Sequence, residues 1–138
     1  MTAAKHPKPT DSELEILQIL WEHGPSSVRF VNDQLNLRKP ANQKEIGYTT
    51  TLKLMQIMTG KGLTHRNTDS RTHIYEALAE ETETQRRLLE QFVDATFRGS
   101  AMKMVMQALG NNRTSQKALD EIKALIRQIE EGDENQSA

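Results

Sequence analysis

Residues 47–62 read Gly-Tyr-Thr-Thr-Thr-Leu-Lys-Leu-Met-Gln-Ile-Met-Thr-Gly-Lys-Gly, and this stretch decides the fold. Its apolar residues recur at helical spacing, which predicts a helix from about Tyr48 to Lys61. The apolar side of that helix holds Leu52, Met55 and Met58. Another side is a continuous polar stripe made of Thr49, Lys53, Gln56 and Gly60, bordered by Thr50. Gly62 follows as the expected left-handed residue that ends the helix.

A short hairpin comes directly after this helix. Strands are predicted at Leu63–Arg66 and Thr72–Ala77, because the Asn67–Ser70 segment between them is a run of turn-forming residues. The hairpin is basic, since it carries Arg66 and Arg71. A helix with a polar, cationic stripe followed by a basic hairpin is typical of a winged helix-turn-helix that reads DNA.

Two helices are predicted before this pair of elements. Thr10–Glu13 forms a capping box that begins the first helix, and Glu13 is expected to be solvated like other acids at helix starts. The buried stripe of this helix is predicted to be Leu14, Leu17, Leu20 and Trp21. Gly24-Pro25 ends it, because proline lacks the amide donor. Ser26 is expected to cap the second helix, whose apolar side holds Val28, Val31 and Leu35.

The second half of the chain is predicted to form three helices. The first runs from about Glu81 to Arg98 and ends at Gly99, the second ends at Gly110, and Ser115 caps the third. Three short helices with one-sided apolar stripes cannot bury them against each other, so pairing with a second copy is expected. The predicted dimer interface consists of Phe92, Val105, Met106, Leu109, Leu119, Ile122, Ile126 and Ile129.

The predicted fold is therefore mainly α with a small β-hairpin wing. It comprises an N-terminal winged helix-turn-helix at residues 10–78 and a C-terminal three-helix dimerisation domain at residues 79–131. Residues 1–9 and 132–138 are predicted to be disordered. The chain of 138 residues contains no cysteine and no run of about 18 apolar residues, so a cytoplasmic location is expected.

Charge is distributed unevenly along a chain whose net charge is only −1. Residues 38–73 carry seven Lys or Arg and two Asp or Glu, which gives a local charge of +5. A basic block in a near-neutral chain indicates a surface that faces phosphate. Base contacts are predicted for Thr49, Thr50 and Lys53 at the start of the third helix. Backbone contacts are predicted for Ser26, Ser27, Tyr48, Arg66, Arg71 and His73.

Several short motifs occur in an order that resembles a known family. They are Leu14-Glu15-Ile16-Leu17 with Leu20-Trp21, Ser27-Val28-Arg29 with Val31, Tyr48-Thr49-Thr50-Thr51-Leu52, Gly62-Leu63, and Arg71-Thr72-His73-Ile74-Tyr75. The chain is similar to the penicillinase-repressor family of bacterial transcription regulators (BlaI/MecI-like). The resemblance implies a homodimeric repressor that binds double-stranded DNA at a promoter palindrome and blocks transcription.

The chain departs from this family at several positions. In the best-known members a membrane sensor causes cleavage at an Asn-Phe bond, and Gln107-Ala108 stands at the matching positions here, which argues against that route. Copper-responsive relatives bind metal through paired cysteines, which this chain lacks. Phe30 stands where the family usually has glutamate. Ser70 stands in the wing where glycine is usual.

Two other functions remain open at the level of sequence. The polar stripe could face a protein, which would make the chain a winged-helix interaction module without specific DNA binding. A ligand could also lodge between the C-terminal helices, with Phe92, Phe97, Met102 and Met106 as walls. No catalytic residue or cofactor is predicted, because the chain has no phosphate loop, nucleophile elbow or dinucleotide fingerprint. No metal site is predicted, because there is no cysteine and the four histidines are scattered.

Overall fold

The computed structural model describes residues 7–111 and 114–137, without the side chains of residues 111 and 133–137. The helices are α1 (Asp11–His23), α2 (Val28–Arg38), α3 (Tyr48–Gly60), α4 (Glu81–Phe97), α5 (Ala101–Asn111) and α6 (Gln116–Ser137), and the strands are β1 (Ser26–Ser27), β2 (Thr64–Asn67) and β3 (Ile74–Ala77). The mainly α fold with a small winged sheet is confirmed. The chain divides into two compact units, of which the first ends at Leu89 and the second begins at Glu90. A functional boundary at residue 78 stays a prediction.

Helix α1 begins with the predicted capping box. The amide of Glu13 donates to Thr10 Oγ1 at 3.2 Å, and the amide of Thr10 donates to Glu13 Oε1 at 2.9 Å. The expectation that Glu13 is solvated is wrong, since the residue is 1% exposed. Lys61, at the end of α3, reaches this carboxylate at 2.9 Å and supplies the charge partner that permits its burial.

The core of the first unit lies where α1, α2, α3 and the sheet meet. Leu17 and Leu20 are buried as predicted, but Leu14 and Trp21 are only partly buried. The core face of α1 is broader than the predicted stripe because Ile16 and Ile19 are also buried. The remaining core side chains are Val28, Val31, Leu35, Met55, Met58, Leu63, Tyr75 and Ala79.

The wing belongs to a three-stranded antiparallel sheet with the order β1-β3-β2, rather than to an isolated hairpin. The additional strand β1 pairs Ser26 with Tyr75 and Ser27 with Ile74. Ser26 therefore does not cap α2 as predicted, since it lies in the strand and its hydroxyl donates to the carbonyl of Gly24. Ser27 is the cap, and its Oγ accepts from the amide of Phe30 at 3.1 Å.

The turn between α3 and the wing contains the predicted left-handed glycine. Gly62 has φ +81°, a value that a residue with a side chain rarely adopts. The next amide, that of Leu63, donates back to the carbonyl of Met58 at 2.9 Å. This closed turn directs the chain from the end of α3 into β2, so the wing starts beside the helix that precedes it.

Two predicted helix ends in the second half are wrong. Helix α5 continues through Gly110 to Asn111, and the predicted disordered tail from residue 132 is helical as far as Ser137. A single glycine with open space around its Cα weakens a helix without stopping it. The cap at Ser115 is confirmed, since its Oγ accepts from the amide of Ala118 at 3.1 Å.

The predicted N-terminal arm, residues 1–9, is only partly covered by the structure. Residues 1–6 lie outside the described residues, as does residue 138 at the other end. Pro9 is buried against the first unit, which differs from the predicted disorder at that position. Pro9 directly precedes Thr10, the N-cap of α1.

Candidate nucleic-acid interface

Helix α3 presents its polar side to solvent. Thr49, Thr50, Lys53 and Gln56 are all exposed, and we call these four residues the recognition face. The opposite side is held in the fold by Thr51, Met55 and Met58, each 0% exposed. Both threonines lie in the first turn of the helix, where side chains come closest to base edges when a helix enters the major groove.

A cleft of about 250 Å³ lies between the starts of α2 and α3 and the end of the wing loop. We call it the wing cleft, and the polar residues that line it are Ser27, Arg29, Tyr48, Arg71, Thr72, His73 and Tyr75. Four of these residues, namely Ser27, Tyr48, Arg71 and His73, are among the predicted backbone contacts, so residues distant in sequence come together here. Arg66, another predicted contact, is exposed on β2 and does not line the cleft.

Arg29 is a cleft residue that the sequence analysis did not assign to the site. Its guanidinium lies 5.2 Å from the centre of the Tyr48 ring, which is a cation–π distance. The stacking places one fixed positive charge between the first turns of α2 and α3. A cation in the first turn of a helix opposes the macrodipole, and this unfavourable position of Arg29 can be read from the sequence.

The two serines that were predicted to contact the DNA backbone differ in solvent exposure. Ser26 is 6% exposed and its hydroxyl is bonded to the carbonyl of Gly24, so its side chain is withdrawn from the surface. Ser27 is partly exposed and lines the wing cleft. Ser27 is the N-cap of α2, its Oγ accepts from the amide of Phe30, and the first turn of that helix contains no acidic residue.

Two of the seven cations in the basic block of residues 38–73 are in ion pairs. Arg38 pairs with Glu22 and Lys61 pairs with Glu13, so these two cations are neutralised within the fold. Lys53, Arg66 and Arg71 are exposed and form no ion pair within the described part of the chain. Of the block's remaining cations, Lys53, Arg66 and Arg71 lie on α3 and the wing, and Lys39 and Lys44 lie in the connection between α2 and α3.

The ion pair at Lys61 changes the acidity of Glu13. Burial raises the pKa of the Glu13 carboxyl, but the hydrogen bonds from Thr10 and from Lys61, together with the Lys61 charge, outweigh that effect. The net pKa lies below the ordinary value of a glutamate. Glu13 is therefore ionised at neutral pH, and Lys61 serves the fold instead of a ligand.

Phe30 lies on α2 with 36% of its surface exposed. Its ring meets the His23 ring edge to face, with the centroids 5.1 Å apart and an angle of 77°. The aromatic side chain thus packs against the end of α1. It is not one of the residues that line the wing cleft.

The predicted dimer-interface residues include many exposed apolar side chains. Phe92, Val105, Met106, Leu109, Ile126 and Ile129 are between 39% and 66% exposed in the single chain. Leu119 and Ile122 are half-buried. Phe92 meets the Phe97 ring edge to face, with the centroids 5.7 Å apart. Within the described residues, the candidate ligand walls Met102 and Met106 are among the most exposed apolar side chains.

None of the helices in the described residues combines the length and the apolar character that a membrane crossing requires.

The sequence matches one protein family over most of its length. Residues 9–128 match the penicillinase repressor family. A penicillinase repressor from Bacillus licheniformis is 23% identical over 122 residues, which cover 88% of this chain and 91% of that repressor. The match includes both the winged unit and most of the C-terminal helices.

Two solved structures can be compared with this chain. A transcriptional regulator from Thermotoga maritima is 19% identical with a TM-score of 0.50, covering 89% of this chain and 77% of that protein. The DNA-binding domain of the repressor BlaI is 20% identical with a TM-score of 0.48, covering 59% of this chain and 93% of that domain. At such identities the likeness concerns the fold alone.

Proposed function

The chain belongs to the penicillinase repressor family, and from that premise we propose that it acts as a homodimer on a palindromic operator. It is a transcriptional repressor with a DNA-binding domain, and it is not an enzyme. In the proposed complex, α3 enters the major groove and the wing lies on the sugar-phosphate backbone. The observation that carries the proposal is the position of the recognition face directly beside the basic wing cleft.

The recognition face supplies the groups that base reading requires. Thr49 and Thr50 are short and exposed, so their hydroxyls can meet base donors or acceptors and their methyls can meet thymine methyls. Lys53, one turn further along, carries a free ammonium group that can reach guanine acceptors. Thr51, Met55 and Met58 are buried on the opposite side of the helix, so the recognition face is available for a ligand.

The wing cleft supplies the groups that hold a DNA backbone. Arg29 and Arg71 provide positive charge, and Tyr48 provides a hydroxyl donor. Arg66 extends this charge along β2. These contacts carry no sequence information, but they fix the register in which α3 meets the bases.

Exposed apolar residues in the second unit support the homodimer. Monomeric soluble proteins rarely expose large contiguous apolar patches, and Val105, Ile126 and Ile129 are each about half exposed in the single chain. A second copy related by a two-fold axis would cover the same residues on both chains and would match the symmetry of a palindrome. A bacterial repressor binds chromosomal DNA in the cytoplasm, which fits the expected location.

We propose no release by cleavage at Gln107-Ala108. The Asn-Phe pair that the resemblance would require is absent, and both residues lie inside α5. A protease would have to unwind that helix before it could bind the peptide bond in an extended form. A membrane sensor that acts on this bond is therefore not part of the proposal.

The proposal is tested with two double variants of the full chain, measured on a palindrome selected from random DNA and on an unrelated duplex. Thr50→Ala with Lys53→Ala should weaken binding to the palindrome by about tenfold or more, since a lost base contact costs roughly 1–3 kcal/mol. The same variant should lose much less on the unrelated duplex.

Arg29→Ala with Arg71→Ala is the matched comparison. It should weaken binding to both duplexes by similar factors and lower the slope of log K against log salt by about 2, because two phosphate contacts are removed. Equal losses on both duplexes for the Thr50 and Lys53 variant would refute base reading by α3. No salt-dependent binding to either duplex would favour a protein-interaction module.

A further inference from the structure

Two asparagines on α2 bind the segment that leads into α3. The carboxamide of Asn36 pairs with both sides of the Ile46 backbone: its Oδ1 accepts from the Ile46 amide at 2.8 Å, and its Nδ2 donates to the Ile46 carbonyl at 3.0 Å. Asn32, one turn earlier, donates to the same carbonyl at 3.0 Å. The two side chains therefore hold Ile46 at a fixed distance from α2.

The same network continues into the first turn of α3. Asn32 Nδ2 also donates to Thr51 Oγ1 at 2.8 Å, and the two residues are 8% and 0% exposed. A buried carboxamide that loses its acceptor pays a desolvation cost, so this geometry is strongly favoured over alternatives. Within the described residues no buried side-chain polar atom lacks a hydrogen-bond partner.

Ile46 and Leu52 pack against the core and Arg29 lies over Tyr48, but few other hydrogen bonds attach this end of α3 to the fold. Residues 40–45 of the connection between α2 and α3 are all exposed, so no core packing holds them. The N-cap of α3 is Gly47, which has no side chain to cap the helix. The asparagine network is thus the principal polar attachment of the helix start that bears Thr49 and Thr50.

We propose that Asn32, Asn36 and Thr51 are positioning residues that set the orientation in which the recognition face meets the bases. This inference rests on the proposed function of α3. None of the three residues carries a charge, and Asn32 and Thr51 are buried away from any DNA surface. Substitution of these residues should therefore lower the ratio of specific to nonspecific DNA affinity. The contribution of the phosphate contacts should stay unchanged.

The experiment compares Asn36→Ala, Thr51→Val and Thr51→Ser with the wild-type chain on the selected palindrome and an unrelated duplex. Thr51→Val is isosteric but removes the hydroxyl that accepts from Asn32, whereas Thr51→Ser retains it. Asn36→Ala and Thr51→Val should each lower the ratio of specific to nonspecific affinity by about tenfold, which lies within the range of a mismatched base pair. Thr51→Ser should keep the wild-type ratio, and all salt slopes should stay unchanged.

Hydrogen exchange in the DNA-free chain provides a second measurement. The Thr51 amide, which donates to the carbonyl of Gly47, should exchange faster in Asn36→Ala. The Gly24 amide, which donates to the carbonyl of Leu20 at the end of α1, should keep its wild-type rate and report that the fold is intact.

The possible failures can be told apart. A wild-type chain that shows no preference for any palindrome would overturn the proposed function, and this inference with it. A wild-type preference that survives unchanged in both Asn36→Ala and Thr51→Val would overturn this inference alone. An equal loss of affinity on both duplexes in Thr51→Val, with a faster Gly24 amide, would show a general structural role and would also overturn it.

Discussion

Glu13 and Glu15 lie two residues apart on α1 in different surroundings. Glu13 is buried and paired with Lys61, whereas Glu15 is exposed. The lowered pKa of Glu13 means that the folded state favours its ionised form more than the unfolded chain does. Its stabilising contribution is therefore complete above the ordinary pKa of a glutamate and is lost as the pH falls through the lowered value.

Glu13→Gln is predicted to destabilise the chain by about 2 kcal/mol at neutral pH, since charge-assisted hydrogen bonds to a buried carboxylate are removed. The difference from wild type should shrink in strongly acidic solution, where Glu13 is protonated in both states. Urea unfolding at neutral and acidic pH measures this difference in the free energy of unfolding. Glu15→Gln is the control and should stay close to wild type. A Glu13→Gln effect of the same size at both pH values would contradict the ion-pair account.

The exposure of single residues was predictable where the signal was local. The exposed positions Thr49, Thr50 and Lys53 follow from helical periodicity, because a helix with one apolar side must turn the other side to solvent. The burial of Glu13 was not predictable, since its partner Lys61 is 48 residues further along the chain. The position of Arg29 over Tyr48 likewise depends on how α2 packs against α3.

At the scale of the elements, two of the three predicted capping side chains were correct, and the cap of α2 is Ser27 instead of Ser26. The caps at Thr10 and Ser115 were identified correctly because a capping side chain bonds an amide only three residues away. Strand β1 was missed because its two residues form a strand only by pairing with Tyr75 and Ile74. The end of α6 was placed too early, at residue 131, since Gly132 does not break that helix.

The turn from α3 into the wing gives a prediction with an adjacent control. Gly62→Ala should destabilise the first unit by about 1 kcal/mol, because an alanine at φ +81° is strained. Gly60→Ala should leave the stability unchanged or raise it slightly, since Gly60 is helical and has open space around it. Thermal unfolding of the two variants measures the difference in stability. A similar loss of stability in both would show that the left-handed conformation at Gly62 does not account for the effect.

At the scale of the whole molecule, six of the eight predicted interface residues are exposed in the single chain, whereas Leu119 and Ile122 are half-buried. Ile126 and Ile129 on α6 and Val105 on α5 follow from one-sided stripes in helices too short to cover each other. The partner that covers them could not be read from the stripes themselves. The homodimer remains a proposal that oligomeric state can decide.

Ile122→Asp with Ile126→Asp is predicted to give a monomer whose first unit still folds, because charged groups cannot be buried unpaired in an apolar interface. Sedimentation velocity measures the mass, and circular dichroism reports the fold. Lys123→Asp with Arg127→Asp is the control, with the same spacing on α6 at exposed polar positions, and should remain dimeric. If the isoleucine variant sediments as a dimer, α6 is not in the interface.

Selection of bound duplexes from a random DNA pool by the full wild-type chain tests the central claim most directly. The account predicts enrichment of a palindrome, because two copies of α3 related by a two-fold axis read the same bases on opposite strands. Retention of the selected DNA should fall steeply with rising salt, as phosphate contacts require. A pool without any enriched sequence would contradict the account of this chain as a dimeric, sequence-reading repressor.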